Sequence, residues 1–184
     1  MKKNFVLAGL SLLVFAFAAS AQKTTDFSGT WNLDLAKSTL SEREKGSIKS
    51  QKLTVTQTAT DLTVVTATER NEPPAGAPAG GPPGGGRGGM MGGGSPDGST
   101  TYTLDGKEVK SEISNPMGSM QVSTKAKLDG GKLEITRTIT TPMGDRVSTE
   151  KWTLGTDGTL SIVSQRPNRD GGTDTTTKVY SKKP

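Results

Sequence analysis

The stretch Asp26-Phe-Ser-Gly-Thr-Trp-Asn-Leu-Asp-Leu35 decides how the chain is read. It holds Phe27 and Trp31, two of the five aromatic residues that follow residue 21. Alternation puts Trp31, Leu33 and Leu35 on one side of an extended segment, Phe27 to Leu35, because side chains on a strand alternate between its faces. This segment is the first of ten with that character.

The others are expected over Ile48–Gln57, Leu62–Arg70, Ser99–Leu104, Glu108–Ser114, Ser119–Leu128, Lys132–Thr140, Asp145–Leu154, Thr159–Arg166 and Thr173–Lys182. Turn chemistry separates them. Asp105-Gly106, Asp129-Gly130 and Asp157-Gly158 are Asp-Gly pairs, which suit hairpins because glycine tolerates the positive φ of primed turns. Pro-Met-Gly occurs at Pro116 and again at Pro142, each time after an Ile-containing strand and before a Val-Ser-Thr run. The second run is offset by one residue, which points to a bulge in one copy and leaves the facing of that strand open. In strand two, Leu53 and Val55 fall out of phase with Ile48. Ser38 or Ser41 is placed to cap one helical turn in the polar segment 36–47.

With ten strands, the first and the last run antiparallel. They can pair and close a barrel, which removes the exposed edges of an open sheet. The same strand list also fits a two-sheet sandwich. The preferred reading is all-β: one up-and-down antiparallel barrel of about ten strands, interrupted by a Gly/Pro-rich insert. The insert, Asn71 to Gly98, contains twelve Gly and six Pro and no large apolar residue except Met90 and Met91. It has too little to bury against the entropy of ordering, so disorder is predicted over 71–98.

Residues 1–21 read as a secretory signal. Lys2 and Lys3 precede an apolar run from Phe5 to Ala18, and Ala19-Ser20-Ala21 is a small-x-small cleavage site. The run is short of the roughly 20 residues that span a bilayer. One barrel domain is then expected over 22–184, in a periplasm or outside the cell. With no Cys in the chain, packing alone must hold it. The net charge of +5 includes both leader lysines, and the basic residues are scattered singly, which argues against nucleic acid. The chain has no His either, which removes the commonest metal ligand and the usual bases and nucleophiles of hydrolase triads. Gly84-x-Gly86-x-x-Gly89 matches a dinucleotide fingerprint in letters only, since no strand precedes it and no helix follows. No cofactor and no enzymatic activity are expected.

Phe27-Ser-Gly-Thr-Trp31 resembles the Gly-x-Trp signature on the first strand of lipocalins and related calycin barrels. It also resembles the opening of small exported bacterial lipocalin-like proteins of unassigned role. The resemblance extends in strand count and meander from Asp26 to Lys182, without the usual lipocalin disulfide and with the added insert. It implies that Gly29 and Trp31 are structural, and that Trp31 plugs the closed end beneath a basic residue from the last strand, Lys178 or Lys182. It also implies a small apolar or amphipathic ligand inside the barrel.

Three residues are candidates for that ligand site. Arg137 is in phase with Leu133, Ile135 and Ile139, so an inward face carries a guanidinium into the interior. Glu150 and Trp152 share a phase on the next strand, and Glu150 is placed to pair with Arg137. The alternative function is an envelope protein that acts through its surface and its Gly/Pro/Met-rich insert.

Overall fold

The computed structural model describes residues 25–72, 97–115, 118–168 and 170–183. The expected export signal and most of the insert fall outside these residues, as do Pro116 and Met117 of the first Pro-Met-Gly turn. Among the described residues the elements are β1 (Gly29–Thr39), α1 (Glu42–Ser47), β2 (Ile48–Gln57), β3 (Asp61–Arg70), β4 (Gly98–Thr103) and β5 (Asp105–Asn115), followed by β6 (Gly118–Asp129), β7 (Lys132–Thr141), β8 (Gly144–Leu154), β9 (Thr159–Pro167) and β10 (Thr173–Lys182).

All ten strands join one antiparallel sheet in the order β4-β3-β2-β1-β10-β9-β8-β7-β6-β5. The first and last strands do pair, with Trp31 opposite Lys182 and Leu33 opposite Tyr180. One continuous sheet rules out the sandwich. Closure is nearly complete but leaves one seam: β4 and β5 are the two ends of the sheet order and do not pair with each other. They are joined in the chain at Leu104, whose N–H donates to the Thr60 carbonyl at 2.7 Å. β4 has 6 residues against 11 in β5, so the ladder ends on the short side.

Local irregularities resolve the phase conflicts. In β2, Ile48, Gln51, Leu53 and Val55 are all buried. The pairing with β3 shifts between Ile48 and Ser50, and this bulge turns Ile48 to the side of Leu53. In β1 the pairing with β10 runs from Trp31 to Asp34 and resumes only at Thr39. The Asp34 carboxylate accepts from the N–H groups of Ala36 and Lys37 at 3.0 and 3.2 Å, and this turn swings Leu35 outward to 42% exposure. Leu35 therefore does not share the face of Trp31 and Leu33. Between β7 and β8 the ladder has no shift, so the offset of the second Val-Ser-Thr run is met by facing alone. Val122 points inward and is buried, whereas Val147 points outward and is 47% exposed.

Ser41 caps α1. Its hydroxyl accepts from the Glu44 N–H while the Glu44 carboxylate accepts from the Ser41 N–H, a reciprocal capping box.

Phe27 is not part of β1. Its N–H donates to Gln57 Oε1 at 3.0 Å, and Gln57 Nε2 donates to the Thr25 carbonyl at 2.9 Å. The Gln57 amide thus clamps residues 25–27 across the end of the barrel. The Phe27 side chain, 0% exposed, meets Trp152 edge-on at 6.0 Å between ring centroids. Its carbonyl accepts from Trp31 Nε1 at 2.9 Å. Phe27, Trp31, Trp152 and Tyr180 are among the largest fully buried side chains, and they gather at this end with Leu53, Val55, Leu62, Leu133 and Leu160. Each such side chain contributes about 1.5–3 kcal/mol by leaving water.

The inner face is divided in two by height. On β3 the inward residues run Leu62, Val64, then Thr66. On β9 they run Leu160, Ile162, then Ser164. On β2 the order is Val55, Leu53, then Gln51, and on β8 it is Trp152, then Glu150 and Ser148. Each of these four strands changes from apolar to polar at about the same level. The lower storey is a packed floor, and the upper storey is a polar chamber.

Candidate functional site

The chamber contains a cavity of ≈ 270 Å³ on the β4–β8 side. Its walls are Thr100–Thr103 from β4, Val109 and Ser111 from β5, and Val122, Thr124 and Ala126 from β6. Ile135 and Arg137 from β7 and Ser148 and Glu150 from β8 complete them. Val109 lines it and is nonetheless 50% exposed, because the seam between β4 and β5 leaves that wall open.

Arg137 faces inward, as its phase with Leu133 and Ile135 requires. Its cross-strand neighbours are Thr124 on one side and Ser148 on the other. The Ser148 hydroxyl donates to the backbone carbonyl of Arg137 at 3.4 Å. The guanidinium Nε is buried with no hydrogen-bond partner.

Glu150 also lines the cavity. One of its oxygens, Oε2, accepts from Trp152 Nε1 at 3.3 Å. Burial pushes its carboxyl above the usual range, and the Trp152 hydrogen bond and the charges of Lys178, Arg166 and Arg137 only partly offset this. The expected pair with Arg137 does not form: among the described residues no ion pair joins the two. The reason lies in the register. Glu150 stands opposite Ile135 rather than Arg137, and its carboxyl turns down the strand to Trp152. Trp152 itself is 1% exposed and belongs to the floor. It touches the chamber through the indole N–H that holds Glu150.

Behind Glu150, on the β2–β10 side, lies a second and much smaller void of ≈ 20 Å³, about the size of one water. Gln51, Thr66, Ser164, Lys178 and Tyr180 surround it. The Tyr180 hydroxyl donates to Gln51 Oε1 at 2.7 Å, and Gln51 Nε2 donates to Thr68 Oγ1 at 2.9 Å. Burial holds the Tyr180 phenol far above its ordinary range, with the Glu150 and Glu44 carboxylates adding to the shift. Lys178 is buried and its ammonium sits 3.2 Å from Glu44 Oε1. Burial raises the Glu44 carboxyl, but Lys178 and the Ser41 hydrogen bonds outweigh it, so it lies below the usual carboxylate range. Glu44 thus serves twice: it completes the cap of α1, and it ties the helix to the inside of β10.

The cation over Trp31 is Lys182 and not Lys178. Lys182 Nζ lies 5.3 Å from the ring centroid. Register decides this, since Trp31 is opposite Lys182, and Lys178 is four residues, about 13 Å, further along the strand. Gly29 makes room for the contact. It has φ +139°, which side-chain-bearing residues rarely adopt, and a Cβ there would stand 2.6 Å from Lys182 Cε.

Sequence reasoning placed Arg137 and Glu150 in the same chamber but missed Glu44 and Tyr180. Lys178-x-Tyr180 carried a usable signal, because both are in phase with the inward Thr176. Among the described residues no group of three or more His, Cys, Asp or Glu gathers to hold a metal.

The fold is a nearly closed ten-stranded up-and-down antiparallel barrel. Among solved structures, the chain is similar to the fluorescent protein UnaG, with a TM-score of 0.49 and 18% identity over 85% of this chain and 97% of that one. It is also similar to secretory abundant heat soluble protein 4 from Ramazzottius varieornatus, with a TM-score of 0.46 and 13% identity over 85% of this chain and 94% of that one. No protein-family model matches the chain, and no curated protein matches its sequence.

Proposed function

We propose that this chain is an exported, non-enzymatic lipocalin-like protein that carries one small amphipathic molecule in the upper storey of its barrel. The observation that carries this reading is the ≈ 270 Å³ cavity, which lies above a packed apolar floor and beside the unpaired seam between β4 and β5. Its wall mixes Val122, Ala126 and Ile135 with hydroxyl side chains and two ionisable groups. Small-molecule sites have this character: an apolar lining with a few polar groups that fix orientation. Export is inferred from the leader-like residues 1–21, and the absence of His and Cys from the chain favours binding over catalysis.

Native mass spectrometry of protein purified from its own host tests the reading. One bound small molecule is expected per chain. Thr124→Phe, which places a ring in the cavity between Val109 and Arg137, should remove it while the thermal unfolding transition persists. A protein that arrives bare, together with a Thr124→Phe variant that behaves like wild type towards every added probe, would overturn the proposal.

A further inference from the structure

The chemistry of the chamber narrows the ligand class, on the premise that the cavity is a ligand site. Arg137 and Glu150 sit on adjacent strands, and Glu150 faces Ile135, two residues before Arg137. Diagonal neighbours on one face of a sheet are about 7–8 Å apart, within reach of two long side chains. Opposite charges so placed ordinarily pair, yet these two do not. Glu150 is drawn to the Trp152 indole, and Arg137 Nε is left buried without an acceptor. A buried donor without an acceptor is costly, and no group of the wall accepts from Arg137 Nε, the adjacent Ser148 hydroxyl being turned to donate to the Arg137 backbone carbonyl. A ligand in the cavity that Arg137 lines supplies the acceptor this site lacks. A guanidinium presents parallel N–H groups that match a carboxylate.

Size sets the second limit. A volume of ≈ 270 Å³ falls just under the roughly 300–1,000 Å³ range of small-molecule pockets. The floor blocks extension downwards, because Trp152 and Ile135 close it. The hydroxyls of Thr101, Ser111 and Thr124 give the middle of the cavity no long apolar track.

We infer that the cavity takes a compact carboxylic acid, with a short apolar or aromatic body, its carboxylate held by Arg137, and that it rejects long-chain fatty acids. Glu150, the other ionisable group of this wall, is turned away from Arg137 to the Trp152 indole. Burial raises its carboxyl, and the other groups facing it are the cations Lys178, Arg166 and Arg137 and the Tyr180 phenol. Glu44, the remaining carboxylate nearby, is held by Lys178.

Calorimetric titration near neutral pH tests this with three probes: hydrocinnamate, its neutral amide hydrocinnamamide, and palmitate. Wild type should bind hydrocinnamate about tenfold or more tightly than the amide, the range expected for a charge-assisted hydrogen-bonded contact, and should bind no palmitate. Arg137→Gln should bring the acid down to the level of the amide and leave the amide unchanged. Arg137→Lys keeps the charge but not the fork, and should weaken the acid alone. It stands in should the Gln variant not fold. Equal binding of acid and amide to wild type, tight palmitate binding, or acid binding indifferent to both substitutions would overturn the inference. If acid and amide bind equally and Thr124→Phe blocks both, the container reading stands and only the anion reading falls. If no probe binds and the protein also comes bare from its host, both fall together.

Discussion

Phe27→Ala tests whether a residue outside every strand holds the barrel shut. The ring is 0% exposed and meets the Trp152 ring edge-on at 6.0 Å. The hydrogen bonds of this segment use the backbone N–H and carbonyl of residue 27, so the Ala variant keeps them and removes packing alone. Truncating a buried Phe costs about 3–5 kcal/mol, of which the edge-on ring pair accounts for about 0.5–1.5 kcal/mol. With a urea slope of about 2 kcal/mol/M, the unfolding midpoint should fall by about 2 M. The assay has a built-in reporter, because the chain has 2 Trp, Trp31 and Trp152, and both touch Phe27. Tryptophan fluorescence in the folded baseline should shift to the red as water reaches the floor. A midpoint within about 0.5 M of wild type and an unchanged baseline would show that the floor closes without Phe27.

Two further expectations concern pH. The Glu150 carboxyl is raised above its ordinary value of 4.5, so its contribution to stability is complete below that value and is lost as pH rises through the folded one. Glu150→Gln, neutral throughout, should therefore gain on wild type in urea unfolding from about pH 4 to about pH 9, and a flat difference would mean that Glu150 ionises inside the barrel without penalty. Glu44 has the opposite sign: its carboxyl lies below 4.5, and its contribution is present above that value and lost as pH falls through the folded one. Glu44→Gln should cost about 1–3 kcal/mol at neutral pH by leaving buried Lys178 without its partner. That cost should fade in acid, and a cost that persists there would assign the effect to the helix cap instead.

Much of the architecture was legible because it is periodic. Ten alternating runs separated by turn signals specify a meander, and their even number brings β1 beside β10. Asp129-Gly130 and Asp157-Gly158 do join paired strands, whereas Asp105-Gly106 opens β5, which does not pair with β4. What escaped was decided by tertiary geometry. Phe27 fits the period of Trp31 and Leu33, and nothing local shows that Gln57 will fold it across the barrel end. Lys178 and Lys182 share a phase, and only the register beside Trp31 tells them apart. The seam between β4 and β5 left no mark, since Thr101, Thr103, Val109 and Ser111 alternate as paired strands do. In the chamber, Arg137 and Glu150 were visible because ionisable residues stood in an otherwise apolar phase. Their failure to pair was not, because it depends on the Trp152 indole competing for the carboxylate.

The ladder between β1 and β10 has a kinetic consequence. Eight of the nine ladders among the described residues join strands consecutive in the chain, and this one joins positions about 150 residues apart. Bringing such distant segments together costs about 4 kcal/mol of loop entropy beyond a constant, with no reward until the contact forms. Hairpins such as β6–β7 can form on the microsecond scale, but a topology with so remote a contact belongs with proteins that fold in milliseconds to seconds. Tyr180, buried in the floor, lies on β10, the remote partner of that ladder. Before β10 arrives beside β1, the chain holds a row of preformed hairpins whose edges stay sticky until the ring is sewn up.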